Sequence, residues 1–160
     1  MSRELLARFY EGFKKRDPEA MASCYSDAVV FSDPVYTRLV GERARNMWRM
    51  LAGRAKDLAL EYEIRSADDR TGAVHWEARY TFSQTGRKVH NVIDATLEIR
   101  DGLIVKHTDV FDFWRWSRQA LGLTGLLLGW SPLVKNKVRR GASEALDAFC
   151  SGRPHPPPSP

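Results

Sequence analysis

Two cysteines, Cys24 and Cys150, are too few for a disulfide framework or a thiolate metal site. No His-x-x-x-His or Cys-x-x-Cys spacing occurs, so no metal is expected. A Gly-rich phosphate loop, a Gly-x-Ser-x-Gly elbow and a dinucleotide fingerprint are likewise missing, which points away from nucleotide chemistry and from any cofactor. Leu121 to Trp130, the longest apolar stretch, is broken by Gly122, Thr124, Gly125 and Gly129 and falls well short of the roughly 20 residues of a membrane span. The opening Met-Ser-Arg-Glu has no signal-peptide core, so a soluble protein of the reducing cytoplasm is expected. Neither sign of charge dominates: 25 Lys+Arg against 20 Asp+Glu leaves +5, too even a mixture for a disordered polyelectrolyte.

What is present is a core. The 160 residues are 43% hydrophobic and 11% aromatic, enough for one domain over residues 1–150, including a helical extension at 114–150. Residues 151–160 hold most of the prolines and read as a disordered tail. Leu5, Leu6, Phe9, Tyr10 and Phe13 recur at helical spacing and predict a helix over 2–15. Asp17-Pro18 opens a short second helix to about Tyr25, Ala28 to Ser32 reads as a strand, and a third helix runs from Gly41 to about Ala55. Four period-two segments follow, separated by Asp68-Asp69, Gln84-Thr85-Gly86 and Asp101-Gly102, and predict an antiparallel meander. Asp112 and Ser131-Pro132 are set to cap two last helices, the second reaching about Phe149.

Alternation gives the meander an apolar face that the helices must cover. Its third strand turns Val89, Asn91, Ile93, Ala95, Leu97 and Ile99 inward, its fourth Leu103, Val105, His107, Asp109, Phe111 and Phe113. Asn91, His107 and Asp109 interrupt that face. A carboxylate in an apolar interior must be paired, protonated or reached by water. His107 and Asp109, two apart on one strand, stand about 6.5 Å apart at Cα, which suits a shared guest better than a direct bond. Asp109 is thus either a general base with His107 as its polar partner or part of an internal network. Trp76, Tyr80 and Phe111 either fill the core or line a cavity with Trp48 and Phe9. Asp33, extended before Pro34, either starts a turn or points into the cavity mouth. His75 and His90 fall on the outer face with Glu77, Asp94 and Glu98. Lys135, Lys137, Arg139 and Arg140 beside the apolar 121–134 segment read as a solvated helix face, with an anionic membrane surface as the alternative over 121–140. Nucleic acid is not an expected partner. The apolar segment itself reads as a lid or a subunit contact.

Helices, a strand ending in Asp33-Pro34, a helix opening at Gly41, and a meander ending Asp-Gly-Leu-Ile-Val-Lys-His-Thr-Asp-Val-Phe-Asp together resemble the nuclear transport factor 2-like superfamily, in its SnoaL-like and ketosteroid isomerase-like branch, over about residues 2–116. The resemblance implies an α+β cone: a strongly curved mixed or antiparallel sheet wrapped around N-terminal helices, enclosing a small-molecule pocket, in a homodimer formed through the outer sheet face. It also implies that Asp109 matches the last-strand aspartate of limonene-epoxide hydrolases, whose Arg and Asp partners are replaced here by Trp76 and Ala78. Asp33 is similar to the proton-moving base of ketosteroid isomerases. Their tyrosine falls at Phe9, with Tyr10 one residue away, and their second acid near Ala95. Polyketide cyclases of the branch need one aspartate in an apolar pocket, a requirement Asp109 meets. The expected activity is cofactor-free isomerisation, cyclisation or water addition on an apolar carbonyl- or hydroxyl-bearing compound. The alternative is a non-catalytic ligand-binding or dimerisation module.

Overall fold

The computed structural model describes residues 1–152; the remainder of the expected tail, 153–160, lies outside the described residues. Burial of Leu5, Leu6, Phe9, Tyr10 and Phe13 sets helix α1 (Ser2–Lys14) against the sheet. Helix α2 (Pro18–Ala22) is capped by Asp17, whose side chain accepts the Ala20 N–H at 3.0 Å. It ends earlier than its pattern suggests, because Tyr25 already belongs to strand β1 (Tyr25–Ser32) and pairs with Ile104. The two-residue strand β2 (Leu39–Val40) and helix α3 (Glu42–Arg54) follow.

The meander is β3 (Ala59–Ala67), β4 (Thr71–Phe82), β5 (Arg87–Arg100) and β6 (Leu103–Val110). The six strands lie in the order β2-β1-β6-β5-β4-β3, antiparallel throughout except where β1 runs parallel to β6. This is the expected α+β cone with a mixed, curved sheet.

One register detail corrects the expected inward set. Glu98 pairs with Lys106 but Ile99 with Ile104, so β6 carries one extra residue at Val105, a bulge. Ile104, fully buried, takes the inward place expected of Leu103 and Val105, while His107 and Asp109 keep theirs. Phe113 leaves the strand altogether. It starts helix α4 (Phe113–Leu121), whose cap Asp112 accepts the Arg115 N–H at 3.0 Å.

Helix α5 (Leu123–Leu128) folds back on α4, and α6 (Pro132–Cys150), capped by Ser131, crosses to α3. There Leu146 is fully buried and Arg43 meets Asp147 at 2.6 Å. Two apolar clusters result, a main core and a smaller one of Val89, Phe113, Trp116 and Ala120. Val35, Tyr80 and Phe111 touch both. Among the described residues no helix is long and apolar enough to cross a membrane.

Candidate active site

His107 is fully buried, with Phe9, Phe31 and Trp48 rings at 5.4, 5.2 and 6.0 Å between centroids. Its protons can be placed from its partners. Trp48 Nε1–H can only donate, and it donates to Tyr25 Oη at 2.9 Å. The Tyr25 hydroxyl, which burial keeps protonated, turns its own hydrogen to His107 Nδ1 at 2.7 Å. Nδ1 therefore accepts, Nε2 carries the ring proton, and that proton goes to Asp109 Oδ1 at 2.9 Å. Trp76 Nε1–H adds a longer bond, 3.4 Å, to the same oxygen.

The direct His107–Asp109 bond corrects the expectation of a guest held between them. Two Cα atoms about 6.5 Å apart on a strand still let long side chains lean together, and the rings packed around the imidazole leave it no other direction. Asp109 is 4% exposed, a burial that a carboxylate tolerates only with such donors. Its Oδ2 has no hydrogen bond from the protein, yet it is not among the buried polar atoms sealed away without a partner. Oδ2 is therefore left without a donor among the described residues while keeping slight access to its surroundings.

Asp33 has the same arrangement. Its Oδ1 accepts the N–H groups of Val35 and Tyr36 at 2.7 and 2.6 Å, closing a turn, while its Oδ2 is unbonded and not sealed. Burial raises the carboxyl from the usual carboxylate range to about 7, against the pull of the Tyr36 N–H, and the negative charge of Asp109 adds to the rise. The two acids thus share one electrostatic neighbourhood. The C-terminal extension closes over it: Arg139 Nε–H donates to Pro34 O at 2.9 Å and Tyr36 Oη–H to Ala142 O at 3.5 Å.

A family model described as a SnoaL-like domain matches residues 6–107, well over half of the chain. The chain belongs to the SnoaL-like family. No functionally curated protein matches it by sequence. Among solved structures, this SnoaL-like domain is similar to a hypothetical protein with a ketosteroid isomerase-like fold from Catenulispora acidiphila, in complex with trimethylamine (12% identity, 82% of this chain and 100% of that one, TM-score 0.66). It is also similar to an epoxide hydrolase of the LEH type from M. tuberculosis (20%, 78% and 93%, TM-score 0.60). A candidate polyketide cyclase from Xanthomonas campestris pv. campestris is a third (18%, 74% and 96%, TM-score 0.61).

Within the SnoaL-like fold, Phe9 and Trp48, expected to line a cavity, are 1% and 3% exposed and wall in His107 instead. Trp76 fulfils a polar role as donor to Asp109. Tyr80 is half-buried and accepts Trp116 Nε1–H at 2.9 Å, and Phe111 bridges the two clusters. Asn91 sits half-buried opposite Ala78 on the inner face, with no side-chain bond. One residue escapes sequence reasoning, and a second shows more than the resemblance implied. The local pattern puts Tyr25 at a helix end, and its bond to His107 spans 82 positions, beyond the reach of any such pattern. Tyr10 lies buried with its hydroxyl unpartnered; burial first, then the charge of Asp109, keeps its proton on. A hollow of about 390 Å³ opens between Asp57, Arg79, Tyr80, Lys88 and Gln119, at the rim and away from Asp109. On the outer face His75 pairs with Asp94 at 2.7 Å and His90 with Glu77 at 2.6 Å, as their alternation predicts.

Proposed function

We propose that this SnoaL-like domain is a cofactor-free acid–base enzyme that moves a proton on an apolar compound bearing a carbonyl or hydroxyl group. The observation that carries this reading is the pair Asp33 and Asp109, each with one oxygen fixed and one unbonded. Asp109 Oδ2 takes a proton from the carbon beside a carbonyl. Asp33, with its carboxyl near 7, gives its proton to the oxygen where negative charge gathers. Return of the first proton from Asp109 to another carbon completes an isomerisation; attack of the enol carbon on a second carbonyl, whose oxygen takes that proton from Asp109, completes a cyclisation. In both cases the enol oxygen hands its proton back to Asp33 as the carbonyl re-forms. The Tyr10 hydroxyl is an unspent donor in the same interior. His107, with no exposed surface, is a positioning residue: with Tyr25 and Trp48 behind it, it fixes which Asp109 oxygen is free. Val35, Tyr80 and Phe111, shared between the clusters, would meet the apolar body of the substrate.

A second reading, a ligand-binding module without chemistry, is favoured by the tight packing around His107. One experiment separates the two. A panel of cyclic and linear ketones is incubated with the protein in deuterated water, and deuterium arriving beside the carbonyl is followed by NMR. Catalysed exchange that Asp109→Asn abolishes is expected. Ligands that shift the melting temperature without any exchange would leave the binding module standing, and a panel with neither effect would remove both readings.

A further inference from the structure

We propose that the leucine face of α5, with the basic segment around it, docks on the surface of an anionic lipid bilayer. Helix α5 is amphipathic in the reverse sense. Gly125 and the capping Gly129 are its inward positions, where an added Cβ would lie far inside contact distance of the Ser117 carbonyl and hydroxyl oxygens. Glycine thus lets α5 sit hard on α4, and the larger side chains are turned out. Leu123, Leu127, Trp130 and Leu133 are 75%, 65%, 71% and 82% exposed, with Leu126 and Leu128 about half so. Single exposed leucines are ordinary; six large apolar side chains exposed within residues 123–133, on α5 and the turn into α6, are an interaction surface.

Charge identifies what covers it. No Asp or Glu occurs from Phe113 to Ser143, whereas Arg115, Arg118, Lys135, Lys137, Arg139 and Arg140 do. Of the chain's 25 Lys+Arg, the 19 outside this segment are outnumbered by its 20 Asp+Glu, so the whole net positive charge resides here. Among the described residues none of the six enters a salt bridge. Arg118 lies over the Trp114 ring at 4.3 Å, an apolar-stemmed cation at the edge of the leucines. A second copy related by a two-fold axis would bring like charges against like charges, and a nucleic acid presents chiefly phosphate and sugar, which would leave most of the leucine surface wet. An anionic bilayer answers both halves, headgroup charge for the cations and hydrocarbon for the leucines and Trp130.

Flotation of the full chain with vesicles of phosphatidylcholine alone, or mixed with phosphatidylglycerol, tests the assignment. Binding only to the mixed vesicles is expected, lost at high salt and accompanied by a blue shift of tryptophan emission. Lys137→Glu with Arg140→Glu should weaken partitioning by at least about 25-fold, near fivefold per charge removed. Leu127→Asp with Leu128→Asp, at exposed positions that leave the core intact, should abolish it while the melting temperature holds. No binding to mixed vesicles at low salt, or binding indifferent to the leucine pair, would overturn the proposal. So would a dimer in solution that the leucine pair dissociates, or a nucleic acid held by the leucine variant in the absence of any vesicle binding.

Discussion

Asp33 couples the chemistry of the site to the stability of the fold, and the sign can be worked out. Its carboxyl titrates near 7 in the folded chain and near 3.8 when unfolded. Between those values the folded state holds a proton that the unfolded state has lost, so stability falls as pH rises through that window and is flat above it. Asp33→Asn keeps an oxygen for the Val35 and Tyr36 N–H groups and removes the charge. It should raise stability at pH 8 by about 1–4 kcal/mol, with the gain shrinking toward pH 4, in denaturant melts run across pH. Tyr25→Phe acts in the other direction. It strips the partner from His107 Nδ1 and Trp48 Nε1 at once, and should cost about 2–4 kcal/mol at neutral pH, measured the same way. Asp109, His107 and Asp33 stood out in the sequence because each breaks an apolar pattern or precedes a proline. Tyr25 did not, because a tyrosine at the end of an apparent helix looks like core until its hydroxyl is traced to a distant strand.

Among the elements, the bulge in β6 decides which side chains face the interior. Alternation read backwards from Asp109 places Leu103 and Val105 inside, yet Ile104 is the buried one, since the extra residue at Val105 flips the parity. Helix starts and their caps were legible because Asp17, Asp112 and Ser131 act through neighbours three residues away, whereas the end of α2, set by the start of β1, was not. Bulges and the parallel β1–β6 pairing depend on strands that meet only after the chain has closed, so they leave little local trace. Deleting Val105 tests the assignment of parity. With β6 regular, either Ile104 or the His107–Asp109 pair must turn outward. Exposing the pair breaks a buried network, and exposing Ile104 strips a core side chain; either should cost about 3–5 kcal/mol in urea or guanidinium unfolding. A smaller loss, below about 1 kcal/mol, would mean the extra residue is not what orients the pair.

On the scale of the whole molecule, the family match ends at His107, while the roof over Asp33 is built from residues well beyond it. Helix α6 reaches the Asp33 turn through Arg139 and Tyr36 and is itself anchored at its far end by Leu146 in the main core and by Arg43–Asp147 on α3. The Asp33 carboxyl owes its rise first to burial, and α6, through Pro34 and Tyr36, holds the turn that carries it. Anchor and acid are therefore linked although the anchor touches no group of the site. Leu146→Ala removes a side chain with no exposed surface and should cost about 2–5 kcal/mol by cavity formation and lost transfer energy. If α6 then loosens over the turn, water reaches Asp33 and its carboxyl titrates below 7, toward the ordinary carboxylate range, in a carbon-detected NMR titration of the folded variant. A conservative Leu146→Met, which keeps the volume, should leave both stability and titration near the parent values. Loss of stability with an unmoved Asp33 titration would show that the extension props up the core without governing the acid beneath it.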